Sequence, residues 1–596
     1  MSRDAILAKM LAAEQMLASG DVEGAIAIAQ RLISKAPGDP GLNSLLAVSL
    51  LRKGTLPQAE FYAKRALQAE PANVDLLINL SMVLTAKRDQ AGAMAVLERA
   101  VASNPTSHKA RLALANALMD AHDSPGAISH LKAALANGPD AQVETSLAGA
   151  LLNLGMIDEA AAFSREALTR HPDEPALAAG YPNALTYKYG VDPDELARAH
   201  RAYGETVRRI RPKSQVVAPP RATNPAKRLR VAIISPDLRQ HSVSFFAEPL
   251  FEHRDRAQFE LLAYCNTRTP DATTARLRAL ADGWAETANL SDIMLAQRLR
   301  ADEIDIGVDL AGHTLGNNLL AFSLRPAPVQ VTYCGYPDTT GLAEMDYRIV
   351  DSLTDPPTPE VDARATEKLW RLDPCFLCYR PNAESPEPWR DSAHPGPVFG
   401  SFNASRKINA GLIGIWSRLL QALPGSRLIL KSFDFASKGA AERIRAEFAA
   451  RDIGEDRLTF MAATKSYAEH LALYSRMDVA LDAFPYHGTT TTCEALWMGV
   501  PVVTLAGNTH AGRVGVSLLT NVGVPELIAH SEDEYVSLAA RLATDAARLG
   551  AYRSGLRAKI AASPLCDPRA FAARWWGALR EMWAQACERD AKGPTA

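Results

Sequence analysis

The stretch richest in potential chemistry is a run of four threonines, Thr489–Thr492, that precedes Glu494. A predicted strand ends near Asp482, Gly488 permits a turn, and a helix is predicted over Cys493–Gly499. A helix N-terminus offers free backbone N–H groups and the positive end of the helix dipole, so we predict a phosphate or diphosphate site here. The segment lacks the lysine of a P-loop and the spacing of a dinucleotide-binding loop. A simple helix N-cap is the alternative interpretation.

Three other segments place polar side chains after predicted strands. They are Ser235–His241, Asp309–Thr314 and Gly400–Asn403, the last shortly before Lys407. The imidazoles of His241 and His313 can accept a proton at neutral pH. The ammonium group of Lys407 is suited to a leaving phosphate, whose developing charge needs compensation. For each of these residues a structural or solvated role is the alternative.

Apolar runs that alternate with helical stretches must position these side chains. Short buried runs separated by helices are typical of parallel sheets. The first series of predicted strands is Leu229–Ser235, Phe259–Tyr264, Ile304–Leu310 and Val329–Tyr333. The second series is Val398–Phe402, Arg427–Lys431, Leu458–Met461, Val479–Leu481 and Val502–Leu505. The Pro-rich segment Asp351–Pro397 separates the two series, so we predict two doubly wound lobes with a ligand crevice beyond the carboxyl ends of the strands.

The N-terminal third is an internal repeat. Prolines recur at steps of 34, 34, 34 and 33 residues, at Pro37, Pro71, Pro105, Pro139 and Pro172. Small residues keep the same step at Ala25, Ala59, Ala93, Ala127 and Ala160. This is the period of the tetratricopeptide repeat, in which each unit is a helix–turn–helix and the proline ends the second helix. Such arrays form superhelices with a concave face that binds extended peptide or a partner protein.

These patterns predict four regions. Residues 1–175 are the repeat domain and residues 176–227 are a helical connector that contains Pro219 and Pro220. Residues 228–390 and 391–596 are the two α/β lobes, and the second lobe ends with a C-terminal helix.

Composition excludes several classes of protein. The 596 residues contain 65 Lys and Arg against 67 Asp and Glu, so a broadly basic nucleic-acid-binding surface is excluded. No run approaches the roughly 20 apolar residues of a membrane span. The seven cysteines are few and odd in number, which favours reduced thiols and a cytoplasmic location. Cys375 and Cys378 form an isolated Cys-x-x-Cys pattern with no second pair nearby in the sequence. Since a zinc site needs about four ligands, we expect no metal.

The region from Leu229 to about Cys566 resembles the catalytic region of the SPINDLY/O-GlcNAc transferase family of protein glycosyltransferases. The matching motifs stand in order along the chain. They are Ser235–His241, Asp309–Thr314, Arg325–Gln330, Gly335–Pro337, Phe399–Asn403 with Lys407-Ile408, and Gly488–Pro501. The threonine run resembles the SPINDLY branch more than the animal enzymes. The resemblance implies a GT-B fold, with two Rossmann-like lobes, and metal-independent, inverting transfer.

The resemblance also implies roles for individual residues. Lys407 matches the family's diphosphate-contacting lysine, and His241 matches an active-site histidine that serves as base or contacts the acceptor. His313 is a second candidate catalytic residue in the same cleft. Glu494 aligns with an acidic residue that binds the nucleotide ribose. The other expected donor-binding residues are Tyr336, Asn403, Arg406, Thr489, Thr490, Thr491 and Thr492.

Three positions depart from the O-GlcNAc transferases. Ala404 and Arg406 replace a glutamine and a tyrosine, and Thr489 replaces a donor-binding histidine. We therefore predict that UDP-N-acetylglucosamine is a poor donor. An arginine next to the diphosphate-binding lysine favours a donor with a carboxylate, such as a nonulosonic acid, and the SPINDLY resemblance favours fucose.

The sequence thus predicts an enzyme that transfers a sugar from a nucleotide-sugar to Ser or Thr of a protein held by residues 1–175. The composition is typical of a bacterial cytoplasmic protein, and flagellin is a candidate acceptor. We expect no cofactor other than the donor substrate. The alternatives are a transferase for glycan or small-molecule acceptors and a repeat-based scaffold with a degenerate transferase domain.

Overall fold

The computed structural model describes residues 3–18, 20–217, 222–389, 396–436 and 438–592. Pro219, Pro220 and the predicted lobe boundary at 390/391 lie outside the described residues. The chain divides into two compact units, Met1–Leu151 and Leu152–Ala596. The first unit is entirely helical, whereas the second unit contains every strand found in the described ranges.

The first unit is the repeat array that the 34-residue period predicts. Its helices are α1 (Arg3–Ala18), α2 (Val22–Ile33), α3 (Pro40–Lys53), α4 (Leu56–Ala69), α5 (Val74–Ala86), α6 (Gln90–Ser103), α7 (His108–Asp120), α8 (Ser124–Leu135) and α9 (Ala141–Leu154), the last of which runs into the second unit. The side chains of Asp21, Asp89 and Asp123 accept a backbone N–H and cap α2, α6 and α8, the second helices of three of the hairpins. The recurring alanines are buried, which confirms that they allow the paired helices to approach closely.

Three helices begin the second unit: α10 (Ile157–Arg170), α11 (Pro175–Tyr187) and α12 (Pro193–Ile210). They pack against the α/β part. A Cβ on Gly204 of α12 would lie 1.8 Å from the carbonyl oxygen of Gly341, so only glycine permits this contact. The predicted repeat boundary at 175 stays a prediction, although the last predicted repeat lies in the same compact unit as the strands.

Two parallel sheets form the α/β part. The first sheet has the order β3-β2-β1-β4-β5-β6-β7 and the second has the order β10-β9-β8-β11-β12-β13. The strands of the first are β1 (Leu229–Ser235), β2 (Phe259–Cys265), β3 (Gly283–Glu286), β4 (Ile306–Asp309), β5 (Val329–Thr332), β6 (Tyr347–Val350) and β7 (Lys368–Arg371). Those of the second are β8 (Val398–Ser401), β9 (Arg427–Lys431), β10 (Leu458–Met461), β11 (Val479–Leu481), β12 (Val502–Leu505) and β13 (Ile528–Ala529). The strand order reverses beside β1 and β4 in one sheet and beside β8 and β11 in the other, which is the doubly wound topology.

Helices cover both sheets. They are α13 (Ser242–Glu252), α14 (Ala272–Leu280), α15 (Asp292–Ala301), α16 (Leu319–Ser323), α17 (Pro359–Asp362), α18 (Ala410–Ala422), α19 (Lys438–Ala449), α20 (Tyr467–Ala472), α21 (Thr490–Trp497), α22 (Val514–Val522), α23 (Glu532–Thr544), α24 (Ala546–Ala561) and α25 (Pro568–Ala591). The C-terminal helix α25 returns to the first lobe, where Trp576 Nε1 donates to the carbonyl of Leu250 at 3.2 Å. The sequence analysis assigns this helix to the second lobe, residues 391–596.

All nine predicted strands are present, with ends shifted by at most two residues. Four short strands were missed: β3, β6, β7 and β13. The strand β7 lies inside the Pro-rich separator, and its two apolar residues, Leu369 and Trp370, are too short a run to mark a strand. No helix in the described ranges is long and apolar enough to cross a membrane.

Candidate active site

A cavity of about 810 Å³ opens between the two lobes. Its walls include the segments that follow β1, β4, β8 and β11, which are the four strands beside the two reversals of strand order. Ligands of doubly wound sheets bind at this position because the loops that leave the carboxyl ends of the strands diverge there. The volume is within the range of about 300–1,000 Å³ that small-molecule sites occupy.

The N-terminus of α21 forms one wall of the cavity through Thr489, Thr490 and Thr491. No hydrogen-bond acceptor pairs with the backbone N–H groups of Thr490–Thr492 among the described residues. The hydroxyl of Thr490 is buried and also lacks a partner there. Asn403 lies on the same wall and accepts a hydrogen bond from the hydroxyl of Thr491 at 3.3 Å. These free donors and the helix dipole suit an anion, and the phosphate site predicted from the threonine run stays a prediction.

Lys407 lies on the cavity wall at the end of a 3₁₀ turn, Ser405–Lys407, that follows β8. Its Nζ donates to the carbonyl of His487 at 2.7 Å and lies 4.1 Å from the ring centroid of Tyr486. Burial, opposed by the charge of Asp482 and assisted by the nearby Arg406 guanidinium, lowers the pKa of the Lys407 amine to about 7. An anion in the cavity would favour the charged amine and raise this pKa again.

Arg406 is exposed within the cavity and rests on an aromatic pair. Its Nε donates to the hydroxyl of Tyr187 at 3.0 Å, and the guanidinium lies 5.6 Å from the centroid of that ring. The rings of Tyr187 and Tyr486 stack with centroids 4.7 Å apart. Within the described ranges no carboxylate lies within 4 Å of the Arg406 guanidinium, so its remaining donors are available to a ligand.

His241 caps the N-terminus of α13 and lines the opposite wall of the cavity. Its Nδ1 accepts a hydrogen bond from the backbone N–H of Val243 at 3.3 Å and lies 3.6 Å from the carboxylate of Asp237. Burial lowers the pKa of His241 and raises the pKa of Asp237, while each charge partly opposes the shift of the other. The imidazole is therefore favoured in its neutral form.

His313 and Tyr336 are not on the cavity wall, contrary to the sequence prediction. His313 is buried, and its Nε2 donates to the carbonyl of Thr340 at 2.9 Å. Its ring packs edge-on against Tyr203 with centroids 4.5 Å apart, and burial lowers its pKa to about 3. The Tyr336 hydroxyl is buried between the Thr186 hydroxyl at 2.9 Å and His200 Nε2 at 3.0 Å. Both side chains therefore hold the first lobe against α11 and α12.

Glu494 and Thr492 are buried behind the cavity. The Glu494 carboxylate accepts hydrogen bonds from the hydroxyl of Tyr467 at 2.5 Å, from the hydroxyl of Tyr474 at 3.0 Å, and from His470 Nε2 at 3.0 Å. Both of its oxygens are thus occupied, and contact with a ribose stays a prediction. The lining of the cavity carries more positive than negative charge, since Arg239, Arg268, Arg406 and Lys407 face a single carboxylate, that of Asp237. An anionic ligand suits this balance.

Comparison with known proteins gives the site a context. The model of glycosyl transferase family 41 matches residues 197–378 and 393–575, more than half of the chain. The chain belongs to glycosyl transferase family 41. A tetratricopeptide repeat model matches residues 44–108 and 112–175 of this family member.

Curated relatives of this family 41 chain carry SPINDLY names. The chain is 40% identical over 429 residues to a probable UDP-N-acetylglucosamine–peptide N-acetylglucosaminyltransferase SPINDLY of Arabidopsis thaliana, which covers 70% of this chain and 46% of that protein. Identity to the SPINDLY protein of Oryza sativa is 39% over 433 residues, with the same coverage of 70% and 46%. The chain thus spans about half the length of the curated relatives that it matches.

A solved structure of a mutant O-GlcNAc transferase from Thermobaculum terrenum is also similar. It superposes with a TM-score of 0.80 at 32% sequence identity, and the match covers 87% of this chain and 98% of that one. This similarity confirms the predicted fold class, which is helical repeats followed by the two-lobed GT-B arrangement.

Sequence reasoning missed two aromatic residues and one histidine of this family 41 site. Tyr187 comes from the predicted connector, and no local pattern marked it. Tyr486 lies just before the threonine run, but nothing in the local sequence indicated a role for its side chain. His510 follows β12 and lines the cavity, so the strand-end rule that identified the other segments would have found it. No group of three or more His, Cys, Asp or Glu side chains in the described ranges is arranged to hold a metal ion.

Proposed function

We propose that this chain is a glycosyltransferase that moves a sugar from a nucleotide-sugar to a Ser or Thr hydroxyl of a protein bound by the repeats. The observation that carries the proposal is the cavity between the lobes, where Lys407, Arg406 and the unpaired N-terminus of α21 converge. This combination provides several donors to phosphate oxygens at one point. The SPINDLY relatives, whose names describe peptide N-acetylglucosaminyltransferases, support the same class of reaction.

In the proposed reaction the acceptor hydroxyl attacks the anomeric carbon from the face opposite the leaving group, which inverts that carbon. The bond between the anomeric carbon and the phosphate oxygen breaks, and the nucleotide leaves with the electron pair. The ammonium group of Lys407 and the N–H groups of Thr490 and Thr491 stabilise the charge that develops on the phosphate. Because these groups are cationic or dipolar, we propose that they do the work of a metal ion.

We propose a donor other than UDP-N-acetylglucosamine. Arg406 has free guanidinium donors above the Tyr187 ring, and a planar fork of donors fits a carboxylate better than a neutral sugar does. Ala404 is small and lies on the cavity wall, where it leaves room for a larger sugar. A nonulosonic acid on a cytidine nucleotide satisfies both features, and fucose on a guanosine nucleotide is the second candidate.

We propose flagellin as the acceptor protein and the bacterial cytoplasm as the place of transfer. The repeat array supports a protein acceptor, since stacked helix pairs bind extended peptide. The same array is compatible with the alternative function, a scaffold whose transferase region is degenerate. Transfer to glycans or small molecules is disfavoured because the repeats would then have no role.

Donor turnover distinguishes the enzyme from the scaffold. The full chain is incubated with UDP-N-acetylglucosamine, GDP-fucose or CMP-N-acetylneuraminate, with and without purified flagellin, and nucleotide release is measured. We expect turnover with one donor and a loss of about 10²–10³-fold in Lys407→Ala, the effect of removing one charge-stabilising group. Lys559→Ala is the matched control, since its Nζ also donates to a backbone carbonyl, that of Gly523, but outside the cavity. No turnover with any donor would favour the scaffold.

Isothermal titration tests the donor class. If Arg406 binds a carboxylate, Arg406→Ala should weaken binding of CMP-N-acetylneuraminate by about 2–3 kcal/mol, the scale of a charge-assisted hydrogen bond. Binding of GDP-fucose should hardly change. Arg406→Lys keeps the positive charge but lacks the planar fork of donors. Its affinity for CMP-N-acetylneuraminate should therefore lie between those of the wild type and Arg406→Ala. Equal losses for both donors, or tight binding of UDP-N-acetylglucosamine, would contradict the proposed donor class.

A further inference from the structure

A histidine and an aspartate from different lobes form a close pair at the cavity. His510 lies between β12 and α22, and Asp355 lies between β6 and β7. The Nδ1 of His510 and a carboxylate oxygen of Asp355 are 2.6 Å apart, and the two side chains are only 5% and 7% exposed. Neither residue belongs to one of the family motifs named above. His510 lines the cavity, whereas Asp355 lies behind it.

The hydrogen-bond partners of this pair fix which nitrogen carries the proton. Nearby Arg348 and His510 hold the pKa of Asp355 well below its usual range despite its burial, so the carboxylate is ionised and accepts the Nδ1–H. The lone pair of a neutral His510 is then on Nε2, which has no hydrogen-bond partner among the described residues. An aspartate that holds one imidazole nitrogen and leaves the other free to accept a proton is the arrangement of a general base.

His241 is in the opposite state. Its Nδ1 accepts the N–H of Val243, so the proton of the neutral ring is on Nε2. The nearby Asp237 does not reverse this, because burial raises its pKa and its distance to Nδ1 is 3.6 Å. Of these two cavity histidines, therefore, only His510 offers an unprotonated nitrogen, whereas His241 offers a hydrogen-bond donor.

The surroundings of the pair contain further charged groups. Arg348 lies 3.6 Å from Asp355, and Arg513, three residues after His510, donates to the carbonyl of Leu353 at 2.8 Å. Asp338 is close to both Arg348 and His510, and burial raises its pKa. The Phe376 ring packs edge-on against the His510 ring with centroids 5.2 Å apart. The two arginines balance the carboxylates, and the phenyl ring limits the rotation of the imidazole.

We infer that His510 is the general base of the transfer reaction and that Asp355 is its positioning residue. The acceptor hydroxyl gives its proton to Nε2 of His510 as its oxygen bonds to the anomeric carbon and the nucleotide phosphate departs with the electron pair. The imidazolium that forms is stabilised by the Asp355 carboxylate and later returns its proton to solvent. His241 then serves as a hydrogen-bond donor. This inference rests on the proposed function.

The test is the pH dependence of turnover in the full chain, with whichever of the three nucleotide-sugars above the wild type uses. His510→Asn keeps a donor toward Asp355 and removes the accepting nitrogen. We expect kcat to fall about 10²–10³-fold, within the range of general-base catalysis, with KM changed less than about threefold. The decrease in wild-type kcat at low pH should disappear in this variant. Asp355→Asn should lower kcat by at least about tenfold, and His510→Gln, which also lacks a proton-accepting nitrogen, should behave like His510→Asn.

Matched variants separate catalysis from packing. His253, which lies 3.9 Å from Glu252 and outside the cavity lining, is the control, and His253→Asn should keep both kcat and its pH profile. If the low-pH decrease persists in His510→Asn and disappears in His241→Asn, His241 is the base and the inference is wrong. A loss of thermal stability with kcat unchanged would show that the pair only joins the lobes. A wild type inactive with every donor would overturn the proposed function itself.

Discussion

Raising the pH from 7.0 to 8.5 should weaken nucleotide binding about 15-fold, because Lys407 loses its proton over this range. The pKa of the free amine is about 7, lowered by burial and by Arg406. The protonated fraction is about one half at pH 7.0 and about 3% at pH 8.5. A bound diphosphate raises the pKa of the amine, so the complex stays protonated and only the free protein titrates. The roughly 15-fold loss of affinity corresponds to about 1.6 kcal/mol of binding free energy, since each factor of ten is worth about 1.36 kcal/mol.

The assay is isothermal titration of UDP and GDP at several pH values between 7.0 and 8.5. The terminal phosphate of each ligand has a pKa near 6 and keeps its charge over this range. Lys407→Met should bind the nucleotides weakly, and its affinity should not change with pH. The affinity of Lys407→Arg should also be independent of pH, because a guanidinium stays protonated. Lys559→Met should keep the wild-type slope. A wild-type change below about threefold, or the same slope in Lys407→Met, would refute the assignment of this titration to Lys407.

Three further predictions follow from the packing of the second unit. His313→Asn should lower the free energy of unfolding by about 2–4 kcal/mol, since it opens a buried contact, while kcat per folded molecule changes less than about threefold; denaturant unfolding and initial rates check this. Gly204→Ala should destabilise the chain severely because its Cβ would meet the Gly341 carbonyl, and a large drop in the melting temperature measures it. Deletion of residues 1–151 should preserve UDP or GDP binding and abolish protein modification. Deletion of residues 1–190 should also abolish nucleotide binding because it removes Tyr187. Titration measures nucleotide binding, and mass spectrometry of flagellin measures protein modification.

The aromatic pair beneath the two cations gives the cavity a feature that charge alone does not supply. Tyr187 and Tyr486 stack, and each carries one cation on its face. Each ring covers one face of its cation, and the negative faces of the rings attract and orient the guanidinium and ammonium groups toward the cavity. Tyr187 ends α11, which follows the last matched repeat, so the second unit uses a helix of the connector to build its cavity.

The sequence by itself determined the periodic and strand-end features. The 34-residue step fixed the helical array, since helix pairs of constant length place their small residues and turns at constant intervals. Short apolar runs fixed nine strands, and the polar residues after β1, β8 and β11 proved to lie around one cavity because parallel strands bring their carboxyl ends to the same edge. Lys407, Arg406, Asn403 and Thr489–Thr491 were therefore predictable as neighbours.

Only the tertiary structure decided which side chains of the loops face the cavity. Loops have no fixed side-chain period, and the chain turns through Gly312 with a φ of 54°, so the buried position of His313 could not be read from its motif. Contacts between distant segments were equally hidden: Arg406 meets Tyr187 from 219 positions away, and His510 meets Asp355 from 155 positions away. Such pairs form where the two lobes and α11 pack against one another. A local sequence pattern does not predict these contacts because the residues are far apart in the chain.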